Sequence, residues 1–419
     1  MQAVILIAGK SSRLYPFSEQ RHKSMLTFFG KPLLDYTIEG LKRAGVLDIV
    51  LVVDKKSQAS SYFASGENFG VRISYVVRNV ALGMGDALLG AKDLLQDEFI
   101  VLHGHHIDAE SLVKKIVEKK QKGAQSVLLV KKRKDYWNHG VVSVESNRVV
   151  SVVEKPKQDQ EKEKLCIVGV YLLSKDFVLA LSKTPMEHYQ FETSLSHFVE
   201  ANAVSYVIIT EDTVSLKYPW DIFELKDYLF RTIKKREGKN VLVSKSAELI
   251  GDVWTGDNVI IREGARVKGP CYLGDNVVVG TNAILRNGVV IERDCVVGAQ
   301  MEIKNSVLMS DTTTHSGFIG DSVIGEHCKI AAQCTTANVR LDRQNVKVLV
   351  KGESVDTKRR SLGVIMGSNV KVGINCSIMP GVVIGNDVIV GPSTTVRSNV
   401  QSGVTYYTKF QEIIEEKHV

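Results

Sequence analysis

A six-residue repeat in the second half of the chain constrains the fold more than any other feature. Apolar residues recur at every sixth position from Ile261 up to Met309, and a second apolar residue stands two positions before each of them, from Val259 up to Val307. Residues two apart on a strand face the same way. The repeat returns at Met366 and ends at Val396, with Gly, Asn and Asp at the intervening corners. This period predicts a parallel β-helix whose stacked coils share one apolar core.

The main alternative to the β-helix is a Val-rich β-sandwich with chance periodicity, and nine consecutive matches in one register disfavour it. Two stretches break the repeat. Residues 311–317 (DTTTHSG) interrupt it briefly, and residues 338–362 form a longer excursion rich in Lys and Arg. Since insertions into regular coils are common places for functional residues, we expect binding or catalytic groups at both.

The first half of the chain alternates strand and helix patterns. Apolar strands are predicted at residues 4–7, 49–53 and 99–102, and helices at 33–44 and 86–95. Such alternation predicts a Rossmann-like α/β domain with a mostly parallel sheet, whose ligand site lies at the carboxyl ends of the strands. A helix predicted at residues 220–236 connects the halves. We therefore expect domains at 1–235 and 236–405, followed by a tail at 406–419.

Net charge, cysteine spacing and the lengths of apolar runs limit the kinds of molecule that the protein could bind and the compartment in which it could work. The net charge of +7 over 419 residues is spread along the chain rather than clustered, so it indicates anionic small molecules as readily as nucleic acid. The six cysteines form no CxxC pair, which favours free thiols in a reducing compartment. No apolar run is long enough to cross a membrane. We expect a cytoplasmic protein that binds neither membranes nor nucleic acid.

Several short motifs in the first half of the chain occur in an order that indicates a protein family. The chain carries ILIAGKSSR at 5–13, HKSM at 22–25, LGMGDA at 82–87, EKP at 154–156 and YPWD at 218–221. In this order and spacing, residues 1–235 resemble the sugar-1-phosphate nucleotidyltransferase family. The predicted left-handed β-helix resembles the acetyltransferase half of bifunctional N-acetylglucosamine-1-phosphate uridylyltransferases and their archaeal relatives.

For the first domain, the resemblance implies binding of a nucleoside triphosphate or sugar nucleotide. It assigns the nucleotide to Gly9, Arg13, Lys23, Gly83 and Gly85, and the sugar to Gly140 and Glu154. Positive charge at Arg13 and Lys23 suits attack at an α-phosphate.

The family's magnesium-binding carboxylates are absent from the corresponding positions. His105 and Ser215 stand where the family carries its metal ligands. Mg²⁺ prefers hard oxygen ligands, so we expect no side-chain metal site and slow or no nucleotidyl transfer. The set His103, His105, His106 and Asp108 is a weak alternative for a softer metal.

For the β-helix, the resemblance implies acetyl transfer from acetyl-CoA to an amino-sugar-1-phosphate. Arg286 and Lys304 would hold the phosphate; they are eighteen residues apart, and one coil of three hexapeptides would stack them about 4.8 Å apart. His315 would be the general base, because an amine must lose a proton as it attacks a thioester. Asn338 and Lys347 would surround the sugar, and the backbone N–H of Ala332 would stabilise the oxyanion.

Three functions remain open at this point. The first is a homotrimeric acetyltransferase with an eroded nucleotidyl site, favoured by Arg286, Lys304 and His315. The second is a non-catalytic regulatory homologue that binds a sugar nucleotide and pairs with an active paralogue, favoured by His105 and Ser215. The third is a β-helix that serves only as a trimerisation scaffold and binds no acetyl-CoA.

Overall fold

The computed structural model describes residues 1–79, 82–159, 161–214 and 216–415, which separate into two compact units. Described residues of the first unit are 1–11, 20–26, 31–79, 82–159 and 161–214. Those of the second are 12–19, 27–30 and 216–415, so two short segments of N-terminal sequence belong to the second unit. The predicted domain boundaries at 235 and 405 stay predictions.

The first unit is built on one nine-stranded sheet with the strand order β3-β2-β1-β4-β8-β5-β9-β7-β6. The strands are β1 (Gln2–Ile7), β2 (Asp48–Asp54), β3 (Arg72–Arg78), β4 (Glu98–His103), β5 (Val127–Arg133), β6 (Gly140–Glu145), β7 (Arg148–Glu154), β8 (Lys164–Ser174) and β9 (Val204–Ile208). The helices of the chain are α1 (Leu33–Arg43), α2 (Ala59–Phe63), α3 (Met84–Gly90), α4 (Ala109–Gln121), α5 (Lys175–Lys183), α6 (Gln190–Ala201) and α7 (Ile222–Thr232), the last in the second unit.

The prediction of a mostly parallel sheet holds for only part of this sheet. Strands β3, β2, β1 and β4 are parallel, with Val4 paired to Val50 on one side and Val101 on the other. Beyond β4 the sheet is mixed, since β8 runs antiparallel to both β4 and β5. Strands β6 and β7 are joined by Ser146 and Asn147, both with positive φ. A two-residue turn of this kind forces its strands to be antiparallel.

The second unit is a left-handed parallel β-helix with three faces, each a parallel sheet. The first face contains Leu242–Val243, Ile260–Ile261, Val278–Val279, Val296–Val297, Thr313–Thr314, Lys329–Ile330, Lys371–Val372, Ile389–Val390 and Thr405–Tyr406. The second face contains Glu248–Ile250, Arg266–Lys268, Ile284–Arg286, Met301–Lys304, Gly317–Gly320, Cys334–Thr336, Ser377–Ile378 and Thr395–Val396. The third face contains Val253–Thr255, Cys271–Leu273, Val289–Ile291, Val307–Leu308, Val323–Ile324, Ile365–Met366 and Val383–Ile384.

The predicted apolar pairs form the interior of the β-helix, with one exception. Residues from Val259 to Ile303 at the predicted positions are buried in one continuous core, and so are those from Met366 to Val396. The last predicted pair, Val307 and Met309, is wrong by one residue: both are buried, but Leu308 points into the core. The cause is a shortened corner, because Val307 pairs with Val290, seventeen residues earlier.

The brief interruption at residues 311–317 stays within the coils. Thr313 pairs with Val296, and Gly317 pairs with Met301, sixteen residues earlier. The break in the sequence repeat therefore reflects shorter corners rather than an insertion.

The second interruption is a true excursion. Val323 pairs with Ile365, forty-two residues later, and the intervening chain forms a hairpin of Lys347–Val350 and Glu353–Asp356. All six cysteines are free and buried, as the absence of paired spacing predicts. Over the described parts of the chain, no helix has the length and apolarity that crossing a membrane requires.

Candidate functional site

The carboxyl end of β1 is the first candidate site. Strands β2 and β3 lie on one side of β1 and β4 lies on the other, which makes β1 a topological switch point where α/β proteins bind ligands. Gly9 follows β1 and is exposed, and a Cβ at this position would meet no atom within 4 Å. Its backbone is therefore accessible. Arg13, predicted to bind the same phosphates, is exposed and belongs to the second unit.

A cluster of three histidines, the buried His105 and the half-buried His22 and His103, lies near Lys23 at this strand end. The Nζ atom of Lys23 lies 3.3 Å from Nε2 of His105. Burial, reinforced by the Lys23 charge, lowers the pKa of His22 and of His103 to about 3. The same causes hold the pKa of His105 well below its usual value. The cluster consists of neutral imidazoles facing one ammonium at neutral pH.

Of the two positions predicted to replace the family's metal ligands, only His105 lies within the described residues. His105 is buried, and its Nδ1 has no hydrogen-bond partner among the described residues. Ser215, the second position, lies outside the described residues. His106 Nδ1 is 3.2 Å from Asp108 Oδ1, and the other oxygen of Asp108 accepts from the backbone N–H of Val214. Within the described parts of the chain, no group of three or more His, Cys, Asp or Glu side chains is arranged to hold a metal ion.

Gly83 and Gly85 lie at the start of α3, where close packing excludes a side chain. Gly83 has a φ of +139°, and a Cβ there would lie 2.7 Å from the carbonyl oxygen of His188. A Cβ at Gly85 would lie 2.7 Å from Oε1 of Gln190. At the end of β3, Arg78 is ion-paired with Asp86 of the same helix.

The two residues predicted to contact the sugar lie together. Gly140 pairs with Glu154 across β6 and β7, and a Cβ at Gly140 would be 3.0 Å from the Glu154 carboxylate. Lys155 Nζ is 3.6 Å from the same carboxylate and donates to the Tyr189 hydroxyl at 2.8 Å. Sequence analysis did not assign Lys155 or Tyr189 to this site. The position of Lys155 next to Glu154 is a signal that could have found it, whereas no sequence signal indicates Tyr189.

The second candidate site lies on the second face of the β-helix. Arg286 and Lys304 are paired in register on adjacent strands, which confirms the predicted stacking. Each is held by an acid: Arg286 Nε and Nη2 both lie 2.7 Å from Oε1 of Glu302, and Lys304 Nζ lies 2.9 Å from Oδ2 of Asp321. The site therefore combines two half-exposed cations with two anions that sequence reasoning did not assign to it.

Asn338, at the start of the excursion, joins this site. Its Nδ2 donates to Oδ2 of Asp321 at 2.5 Å. A Cβ at Gly320 would meet the Phe318 ring at 2.6 Å and Asn338 Nδ2 at 3.0 Å, so the ring and the amide both lie over this glycine. Lys347 is exposed at the start of the hairpin, and its buried neighbours Val346 and Val348 anchor that strand.

His315 and Ala332 lie at the corner between the first and second faces, on successive coils. The backbone N–H of His315 donates to Ile330, and Gly317 pairs with Cys334, which sets Ala332 one coil from His315. The His315 side chain is exposed. Lys304 pairs with Gly320, three residues beyond Gly317 and about 10 Å along the strand. The predicted base and the predicted phosphate site thus flank one strand of the second face.

A Rossmann-like unit with a strand-end ligand site, followed by a hexapeptide β-helix, defines a class of two-domain transferases. The nucleotidyl transferase family matches residues 2–230, the GMPPB C-terminal domain family matches 267–362, and the six-repeat bacterial transferase hexapeptide family matches 363–398. The chain belongs to the nucleotidyl transferase family and carries the hexapeptide repeats of the bifunctional members.

Full-length relatives support this assignment. The chain is 36% identical to the bifunctional protein GlmU of Methanococcus maripaludis, with 100% of both chains covered. It is 29% identical to a bifunctional sugar-1-phosphate nucleotidylyltransferase/acetyltransferase of Sulfurisphaera tokodaii, with 96% of this chain and 99% of the relative covered. A solved structure from Bacillus anthracis, provisionally assigned as a glucose-1-phosphate thymidylyltransferase, has a TM-score of 0.50 and 21% identity to this chain. The match covers 57% of this chain and 98% of the solved chain, and it supports the fold alone.

Proposed function

We propose that the chain transfers the acetyl group of acetyl-CoA to the amino group of an amino-sugar-1-phosphate on the second face of the β-helix. One observation carries the proposal: Arg286 and Lys304 stack in register, and Lys304 shares Asp321 with Asn338. Two adjacent cations beside an amide suit a phosphate attached to a polar sugar. The name of the Sulfurisphaera relative, which includes an acetyltransferase, agrees with this assignment.

In this proposal the acceptor nitrogen attacks the thioester carbonyl carbon, the carbon–sulfur bond breaks, and coenzyme A leaves as the thiol. His315 takes the proton that the nitrogen loses and passes it to the departing sulfur. The backbone N–H of Ala332, one coil away, stabilises the oxyanion. Arg286 and Lys304 bind the phosphate, and Asn338 and Lys347 contact the sugar.

The first unit supports binding of a nucleoside triphosphate or sugar nucleotide, with slow or no nucleotidyl transfer. Gly9, Lys23, Gly83 and Gly85 would contact the nucleotide, and Gly140 and Glu154 the sugar. Arg13, which belongs to the second unit, stays a prediction from the family resemblance. The donor set at the end of β4 does not suit Mg²⁺, because His105 offers a buried imidazole with an ammonium 3.3 Å away. A cation of charge +2 beside Lys23 would be repelled.

A homotrimer is part of this proposal, since hexapeptide β-helices of this class present their faces to neighbouring copies. Six free buried thiols suit a reducing, cytoplasmic compartment.

The test is thiol release from acetyl-CoA with glucosamine-1-phosphate and galactosamine-1-phosphate as acceptors. His315→Ala is expected to lower the rate about 100-fold or more, the usual contribution of a general base. His327→Ala is the matched control, because His327 is another exposed histidine at a β-helix corner. Equal rates for wild type and His315→Ala would remove His315 from the mechanism.

The regulatory homologue remains the second candidate, favoured by the Lys23–His105 contact in place of a carboxylate. It predicts no thiol release with either acceptor, calorimetric binding of a sugar nucleotide, and co-elution with an active paralogue on size exclusion.

A further inference from the structure

We propose that Asp321 is a positioning residue of the acetyl-acceptor site, holding Lys304 and Asn338 in the geometry that receives the sugar phosphate. This inference rests on the proposed acetyl transfer and extends it to a residue outside the predicted site.

Asp321 lies at the corner between the second and third faces of the β-helix. It has a φ of +48° and is 3% exposed. One coil earlier, the same corner is occupied by Asn305, with a φ of +44°. A carboxylate at such a buried corner needs partners for its oxygens, because an unpaired buried charge is strongly destabilising.

The two carboxylate oxygens of Asp321 have separate partners. Oδ1 accepts from Asn305 Nδ2 at 2.6 Å, which fixes the carboxylate to the preceding coil. Oδ2 accepts from Lys304 Nζ at 2.9 Å and from Asn338 Nδ2 at 2.5 Å. Lys304 and Asn338, thirty-four residues apart in sequence, are therefore both within 3 Å of one oxygen.

This arrangement fixes the orientation of the Asn338 amide. An ionised carboxylate can only accept hydrogen bonds, so the Asn338 NH₂ group must face Asp321 and its carbonyl oxygen must face away. That oxygen is left as an acceptor for a sugar hydroxyl or the amino group. The Lys304 ammonium has three donors, and Asp321 uses one of them, which leaves the others for the phosphate.

A buried lysine approaches the same corner from the protein interior. Lys226 of α7 is 1% exposed, and its Nζ lies 2.6 Å from Asp227. Burial lowers the pKa of Lys226, while the charges of Asp227 and Asp321 oppose that shift. A Cβ at Gly288, two coils before Asp321, would lie 2.9 Å from Lys226 Nζ. Asp321 therefore interacts electrostatically with Lys226 in addition to its direct contact with Lys304.

The test compares Asp321→Asn with a matched variant, Asp294→Asn. Asp294 is also a corner residue with positive φ, accepting from Asn276 on Oδ1 and from Arg293 on Oδ2, but it has no partner in the proposed site. Asp321→Asn is expected to raise KM for glucosamine-1-phosphate about tenfold or more, the effect of losing a charged hydrogen bond, and to leave KM for acetyl-CoA unchanged. Asp294→Asn is expected to leave both constants at the wild-type values.

A double-mutant cycle separates positioning from stability. In a background that carries both Lys304→Met and Asn338→Ala, Asp321→Asn should have a much smaller effect on KM for the acceptor, because both residues that it positions are gone. Thermal midpoints are measured for every variant. If Asp321→Asn does not fold, Asn305→Ala, which removes the support of the carboxylate alone, must raise the same KM.

The outcomes distinguish this inference from the proposed function. Wild-type protein with neither thiol release nor calorimetric binding of glucosamine-1-phosphate would overturn the proposed function, and the inference with it. Two results with an active wild type would overturn the inference alone. One is an equal acceptor KM in Asp321→Asn and Asp294→Asn, and the other is an Asp321→Asn effect that persists in the Lys304→Met, Asn338→Ala background.

Discussion

Lys23 Nζ and His105 Nε2 lie 3.3 Å apart at the carboxyl end of β4, so an ammonium and a buried neutral imidazole are in direct contact. Three histidines of this cluster have lowered pKa values. They must gain protons when the first unit unfolds at acidic pH, and that requirement makes its stability dependent on pH.

We expect the free energy of unfolding of the first unit to rise with pH between about 3 and 6.5. His22 and His103 have pKa values of about 3 when folded and near 6.5 when unfolded, so within this window only the unfolded state binds their protons. Each contributes about 1.4 kcal/mol per pH unit. His103→Gln should reduce this slope, measured by urea denaturation in a variant whose sole tryptophan is Trp137.

The control for the histidine slope is His197→Gln, which changes an exposed histidine on α6 of the same unit. Equal slopes in wild type and His103→Gln would show that burial of His103 does not control the pH dependence.

Glu292 is expected to make the second unit less stable as pH rises. The side chain is fully buried and accepts from the backbone N–H groups of Phe29 at 2.6 Å and Gly30 at 3.0 Å, both in the same unit. Burial raises the pKa of Glu292 to about 8 despite these donors. Between pH 4.5 and 8 the unfolded state loses this proton and the folded state keeps it, so the free energy of unfolding falls across that window.

Glu292→Gln should remove this fall, because an amide does not titrate. It should also cost about 1–3 kcal/mol at pH 5, since one carbonyl oxygen cannot accept from both backbone donors. Chemical denaturation at pH 5 and pH 8 measures both effects. If the free energy of unfolding changes by the same amount between pH 5 and pH 8 in the wild type and in Glu292→Gln, Glu292 does not cause the pH dependence.

Gly288→Ala should destabilise the β-helix by about 1–3 kcal/mol, through backbone strain and a contact with Lys226. Gly288 has a φ of +82°, and the added Cβ would lie 2.9 Å from Lys226 Nζ. Gly403→Ala isolates the backbone effect, because Gly403 has a φ of +76° and open space around its Cβ position. Thermal denaturation should show a larger loss at Gly288, and Lys226→Met should reduce the difference.

The cysteines should be unreactive in the folded protein. All six are buried, and burial raises the pKa of Cys166 and Cys334 to about 11 and that of Cys295 and Cys328 to about 12. Thiolate is the reactive form, so Ellman's reagent at pH 8 should label none of them rapidly and all six in guanidinium. Rapid labelling of any thiol in the native protein would place that cysteine at a surface.

The sequence repeat predicts the β-helix because its period is set by the geometry of the coils. It fails at Leu308 because three consecutive apolar residues, Val307 to Met309, fit either register. The eighteen-residue spacing likewise predicts that Arg286 and Lys304 stack.

The acids of the site follow no such period. Glu302 pairs diagonally with Arg286 across sixteen residues, although it stands in register with Ile284, eighteen residues earlier. Asp321 pairs with Lys304 across seventeen residues, in a coil whose corners are shorter. In the first unit, the side chains around Glu154 come from β7 and from the start of α6, and no local pattern connects Lys155 with Tyr189.

The excursion between the coils that contain Val323 and Ile365 also affects how the β-helix is assembled. Each earlier coil can stack on its predecessor once sixteen to eighteen more residues leave the ribosome. The coil that contains Ile365 must wait for forty-two, and closing that longer loop costs about 0.8 kcal/mol more. We therefore expect growth of the stack to pause at this point during synthesis, with the edge of the Val323–Ile324 strand unpaired until Ile365 arrives.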